Sequence, residues 1–130
     1  MLYYLAELFN IRRENTMVII LIITTGKQWE QAKKMGAYRG DTLDTEGFIH
    51  CSTPRQVIGV ANSLFKAQRG LVLLCIESDR VKAEIRYEGT KEHYPHIYGP
   101  LNIDAVTKVV DFEPNQDGRF HLPKDIDVIG

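Results

Sequence analysis

The chain reads as an α+β domain, because strand-like segments outnumber helices and the two main helices both fall near the start. Strands and helices do not alternate through its length, which argues against a doubly wound sheet. With 130 residues, 44% of them hydrophobic and 25% charged, it is long enough for one core and has ordinary globular composition. No repeat, linker or low-complexity run divides it, so a single domain is expected. A formal net charge of −1 offers no general attraction to nucleic acid or to an anionic membrane, although a small phosphorylated ligand stays open.

The apolar run from Met17 to Ile23 is far shorter than the roughly 20 residues that cross a bilayer. Arg12 and Arg13 precede it as in a signal peptide, but the run is β-branched and no small-residue cleavage site follows. A strand over residues 18–24, buried on both faces, is the better reading. Residues 1–16 then form an N-terminal extension and residues 17–130 the domain. Leu2, Tyr3, Leu5, Leu8 and Phe9 can make an apolar helix face in that extension, which needs cover from the domain or from a second copy in a homodimer.

Thr25 followed by Gln28 makes a capping box for the first helix, which carries Trp29, Ala32 and Met35 on one side and ends at Gly36. Residues 37–46 read as a polar loop. Residues 48–52 read as a strand that runs straight into a second helix, with Thr53 as N-cap, Pro54 first in the helix and Gln56 third. Val57, Ile58, Ala61, Leu64 and Phe65 form that helix's apolar stripe, and it ends near Gly70. Residues 71–77 are a second wholly apolar strand, closed by a turn at Ser78, Asp79 and Arg80. Ile85 and Tyr87 alternate with Glu84, Arg86 and Glu88 in a half-buried strand. A loop held by Pro95, Gly99 and Pro100 follows over residues 89–101, and Asn102 or Asp104 can cap a short turn. A strand over 107–112 and an Asp117–Gly118 turn into residues 120–122 complete the expected elements.

Three places concentrate polar chemistry. On a strand, Phe48, His50 and Ser52 face one way and Ile49, Cys51 and Thr53 the other. His50 therefore shares a face with a hydroxyl beside a helix start that favours anions, or else it is a buried histidine satisfied by a carbonyl. Adjacent Cys51 points away from His50, so the two cannot form a nucleophile–base pair. Cys51 and Cys75 are too few for a disulfide scaffold and read as reduced, buried thiols of a cytoplasmic protein. Arg86 and Glu88 lie on one strand face about 7 Å apart. They can bracket a substrate, Arg86 holding an anion and Glu88 a ribose hydroxyl or a developing cation, or they can be a solvated edge. The segment from His93 to Pro100 gathers two histidines and two tyrosines, with His96 and Tyr98 as pocket walls or Tyr94 and Tyr98 as packing. Pro95 prevents a helical His-x-x-His display, and no acidic or cysteine partner has suitable spacing, so no metal is expected. The lysines around the first helix read as a solvated face. No glycine-rich phosphate loop, G-x-S-x-G elbow or H-E-x-x-H helix is present in the sequence.

Several of these segments resemble one uncharacterised bacterial group, the domain of unknown function family 952. The matching pieces are Ile23-Thr24-Thr25, Trp29-Glu30-Gln31-Ala32, Gly36-Ala37-Tyr38, Gly47-Phe-Ile-His-Cys-Ser-Thr53, Leu71-Val-Leu-Leu74, Arg86-Tyr87-Glu88 and Pro95-His-Ile-Tyr-Gly-Pro-Leu101. The resemblance implies an ADP-ribosyltransferase-like fold, a split mixed β-sheet with a cleft between two lobes. The order of pieces is also similar to the RNA 2′-phosphotransferases of that superfamily. On that analogy His50 and Ser52 sit at a dinucleotide cleft with Thr24 nearby, Arg86 or His96 meets phosphate, and Tyr98 stacks on a base or nicotinamide ring. The phosphotransferases' set of arginines and histidines is incomplete here, and Glu88 is the nearest candidate for a late transferase glutamate.

Three functions follow as expectations. The first is a protein that binds NAD or an ADP-ribose-like phosphorylated nucleotide, with transferase chemistry resting on His50 and Glu88. The second is a non-catalytic module using the same cleft, and the third is a protein-interaction module. Nucleic acid enters only as a phosphorylated RNA end.

Overall fold

The structure, a computed structural model, describes residues 18–126. The expected N-terminal extension, its apolar face and the dimer contact assigned to it lie outside the described residues.

Strand β1 (Ile19–Thr25) pairs antiparallel with β4 (Leu71–Glu77), Ile22 opposite Leu74, and β4 pairs on its other edge with β8 (Val106–Phe112). Both apolar runs are buried on both faces, as their unbroken hydrophobicity requires. Alternation along β4 therefore feeds two cores. Val72, Leu74 and Ile76, with Ile20 and Ile22, pack toward Trp29, Ile49, Ile97 and Leu101. Leu71, Leu73 and Cys75, with Leu21, pack toward Val57, Ala61, Phe112 and Phe120.

Helix α1 (Gly26–Met35) begins at Thr25, whose hydroxyl accepts the Gln28 N–H at 3.0 Å. Gly36, at φ 85°, supplies the left-handed residue that stops it. Trp29 and Ala32 face the core, but Met35 is 77% exposed and leaves the expected stripe. The polar segment read as a loop contains a short strand, β2 (Ala37–Tyr38), and one helical turn, α2 (Leu43–Glu46). Strand β2 pairs with β7 (Leu101–Asn102).

The second three-stranded sheet has the order β3 (Ile49–His50), β6 (Tyr94–Tyr98), β5 (Glu84–Glu88). Its central strand is the segment read as a proline-held loop. Pro95 is tolerated there because β3 leaves β6 just beyond it. The Pro95 carbonyl accepts the Cys51 N–H at 3.0 Å, and the next residue, Ser52, exchanges two backbone hydrogen bonds with Leu21 of β1. An N–H at position 95 therefore has no further ladder to extend. Every ladder among the described residues is antiparallel and the strands fall into three sheets, so the mixed sheet that the resemblance implied is not found among them.

Helix α3 (Val57–Leu64) starts three residues later than the cap pattern indicates, after a turn at 54–56. Only the return half of the Thr53–Gln56 box forms, Gln56 Oε1 accepting the Thr53 N–H at 3.0 Å. Val57 and Ala61 are buried, whereas Leu64 is 74% exposed and does not belong to the core stripe. Residues 120–122 are not a strand; Phe120 instead packs its ring on Phe112 at 4.7 Å. Among the described residues no helix is long and apolar enough to cross a membrane.

Because β4 serves both cores, Leu74→Ala is expected to cost about 2–5 kcal/mol. Urea unfolding checks this: the midpoint falls with little change in slope.

Candidate functional site

The register of the second sheet places His50, His96 and Arg86 side by side in one row, His50 opposite His96 and His96 opposite Arg86. Alternation turns Ile49, Pro95 and Ile97 inward and leaves Phe48, Tyr98, Glu84 and Glu88 around that row. Phe48 stacks on His96 with ring centres 4.1 Å apart. His96 Nδ1 lies 2.9 Å from Glu88 Oε1, and the Tyr98 hydroxyl donates to the same oxygen at 2.5 Å. A carboxylate only accepts, so His96 Nδ1 carries a proton in this contact. The Tyr98 hydrogen bond, followed by that from His96, holds the Glu88 carboxyl below its ordinary pKa. The same hydrogen bond from the other side raises the Tyr98 phenol. His50 Nε2 reaches Glu46 at 3.2 Å on the surface.

This end of the sheet forms one wall of a cleft of about 1040 Å³. His50, His96, Glu88 and Tyr94 line one side, α3 another, and the segment around Tyr38 and Asp41 a third. The lining also holds a hydrogen-bonded chain. Tyr38 OH donates to Thr24 Oγ1 at 3.0 Å, and Thr24 donates to Gln28 Oε1 at 2.7 Å. Gln28 Nε2 in turn donates to Asp41 Oδ1 at 2.8 Å. Burial is the main cause of the raised Tyr38 phenol pKa, so this chain stays protonated and directional at neutral pH.

Ser52 lies where the two sheets meet. Its backbone is fixed on both sides by Leu21, at 2.7 and 2.9 Å, and the residue is only 4% exposed. It lines the cleft, and its hydroxyl makes no hydrogen bond to another described residue.

Thr24, His50, Ser52, Glu88 and His96 thus share a single cleft, while Arg86 and Tyr98 do not reach its lining. Arg86 pairs with Glu84 at 3.0 Å and sits 4.3 Å from the Tyr98 ring, and Tyr98 is tied to Glu88. Tyr98 therefore supports Glu88, and its ring carries the Arg86 guanidinium rather than facing the cleft lining. The helix start beyond Ser52 is also less available to an anion than its sequence indicates. Gln56 occupies the Thr53 N–H and anchors its own amide to the His93 carbonyl at 2.8 Å. Cys51 faces the core, away from His50, and burial raises its thiol pKa well above normal. Gln28, Tyr38 and Asp41 were not singled out from the sequence, because only the tertiary fold brings them together. Among the described residues no cluster of three or more His, Cys, Asp or Glu side chains is arranged to hold a metal ion.

Fold and site together define a small α+β domain with antiparallel sheets and an open cleft lined by histidine, carboxylate and hydroxyl groups. The chain belongs to the family described as Protein of unknown function (DUF952), whose profile matches residues 23–109. It is similar to protein CC0527 from Caulobacter crescentus. The crystal structure of that protein is 32% identical with a TM-score of 0.74, covering 80% of this chain and 94% of that one. Its solution NMR structure is 30% identical with a TM-score of 0.73, covering 87% of this chain and 100% of that one. No curated protein matches this chain.

The depressed Glu88 pKa gives a signed expectation. Its stabilising share is present above the ordinary carboxylate pKa and is lost as pH falls through the depressed value. An NMR titration of Glu88 should show a midpoint below that of an ordinary carboxylate, moving upward in Tyr98→Phe. An identical midpoint in the variant would mean that the Tyr98 hydrogen bond is not its main cause.

Proposed function

We propose that the cleft binds NAD or an ADP-ribose-like phosphorylated nucleotide, within a fold of the ADP-ribosyltransferase type. The observation that carries this reading is Ser52, a mostly buried residue on the cleft wall whose hydroxyl stays accessible and unengaged by other described residues, on the same strand face as His50. No buried side-chain polar atom among the described residues lacks a partner, so this hydroxyl is one that the cleft leaves accessible, and a ligand hydroxyl or phosphate oxygen can bond to it. Size supports the same reading, since about 1040 Å³ lies at the upper end of small-molecule sites and suits a dinucleotide. The wall chemistry also fits, with Glu88 and Asp41 as acceptors for ribose hydroxyls and His50 as a donor at the rim.

For transferase chemistry, Glu88 is the group suited to the positive charge that develops on a ribose as its glycosidic bond breaks. Tyr98 and His96 keep its carboxylate ionised. His50 orients the ribose from the opposite side of His96. Arg86 and Tyr98, engaged elsewhere, act behind this pair rather than on the ligand.

A thermal-shift panel of NAD, ADP-ribose, nucleoside phosphates and phosphorylated RNA ends tests the reading. A binding nucleotide at 100 times its dissociation constant adds about 2.7 kcal/mol of stability. Ser52→Ala should weaken that ligand by about tenfold, the value of one good hydrogen bond to a charged group. Glu88→Gln should retain binding and lose turnover of NAD; binding without turnover in the wild type would make the protein a non-catalytic module. If no nucleotide moves the melting temperature, the reading is wrong.

A further inference from the structure

Helix α3 has two working faces. Val57 and Ala61 enter the core, while Gly59, Val60, Ser63 and Leu64 line the cleft. These four are spaced i, i+1, i+4 and i+5, so they form one stripe. The stripe gives an apolar part to the lining of the same cleft that carries His50 and Glu88.

Gly59 has no structural reason to be glycine. It lies inside the helix and is not among the residues with positive φ. A Cβ built on it meets no heavy atom within 4 Å. Glycine weakens a helix interior relative to alanine, so the fold would accept, and gain from, a side chain there. What a Cβ would occupy is space in the cleft. Ser52, a mostly buried residue whose hydroxyl stays accessible and unengaged by other described residues, lies on the wall of the same cleft and independently supports a polar ligand there.

We infer that the α3 stripe is the seat for the flat heteroaromatic ring of the ligand, with Gly59 as the residue that lets the ring lie close to the helix backbone. This rests on the nucleotide reading above and adds to it where the ring goes and which residue selects for it. Val60 and Leu64 supply the apolar contact, and the ribose and phosphate extend toward Ser52 and His50. The exposed Leu64 thereby acquires a partner that the core does not give it.

Calorimetric titration of ADP-ribose, nicotinamide mononucleotide and ribose 5-phosphate against wild type, Gly59→Ala and Gly59→Val tests the inference. The first probe carries adenine, the second nicotinamide and the third no ring. Gly59→Ala should melt higher than wild type yet bind the ring-bearing probe more weakly by about threefold, and Gly59→Val by about tenfold or more. Whichever ring-bearing probe responds identifies the ring, and any binding of ribose 5-phosphate should not change. Unchanged affinity for every ring-bearing probe that binds wild type, or equal weakening of ring-bearing and ringless probes, overturns the ring seat and leaves the nucleotide reading standing. Should none of the three, nor NAD, bind wild type, both fall together. Gly59→Ala keeps the test decisive if valine at position 59 disturbs the helix.

Discussion

Strand β4 has no solvent face, and much of the architecture follows from that. A strand that is apolar at consecutive positions must be covered twice, so β1 and β8 flank its edges while separate layers close over its two faces. One face is closed by α1 and the second sheet, the other by α3 and the segment around Phe120. The second sheet then needs only a narrow join to the first, and the Leu21–Ser52 bridge supplies it. Space left between these layers is the cleft. Its position is therefore a by-product of how one hydrophobic strand is buried.

Local pattern specifies the structure wherever a single element decides the outcome. The two apolar strands, the Thr25 cap, the Gly36 stop and the opposite facing of His50 and Cys51 all follow from spacing of two or three residues. Elements whose identity depends on distant partners were not legible. Residues 94–98 carry a proline and flank glycine, so they look like a loop; they form a strand because β3 and β5 approach from both sides. Met35 and Leu64 fit a helical stripe by number, but the core surface ends before reaching them.

The site shows the same division. His50 and Ser52 were visible as a strand face, and Thr24, Glu88 and His96 join them in the cleft through tertiary packing. Arg86 does not line the cleft for a reason no local pattern contains: Glu84 on its own strand and the Tyr98 ring on the next strand engage it. Gln28 was explicable as part of a helix cap, which concealed its second use between Thr24 and Asp41. Side chains that satisfy a local rule can still be spent on a distant one.

Ser52 combines a fixed main chain with an uncommitted side chain. Both its backbone groups are held by Leu21, and neighbouring packing leaves it almost no exposure. Its hydroxyl therefore keeps little freedom beyond rotation about one bond. The configurational entropy that capturing a partner would otherwise remove was already surrendered when the chain folded. Such a group is preorganised: its orientation toward the cleft is a property of the β-sheet junction and not of whatever it meets there.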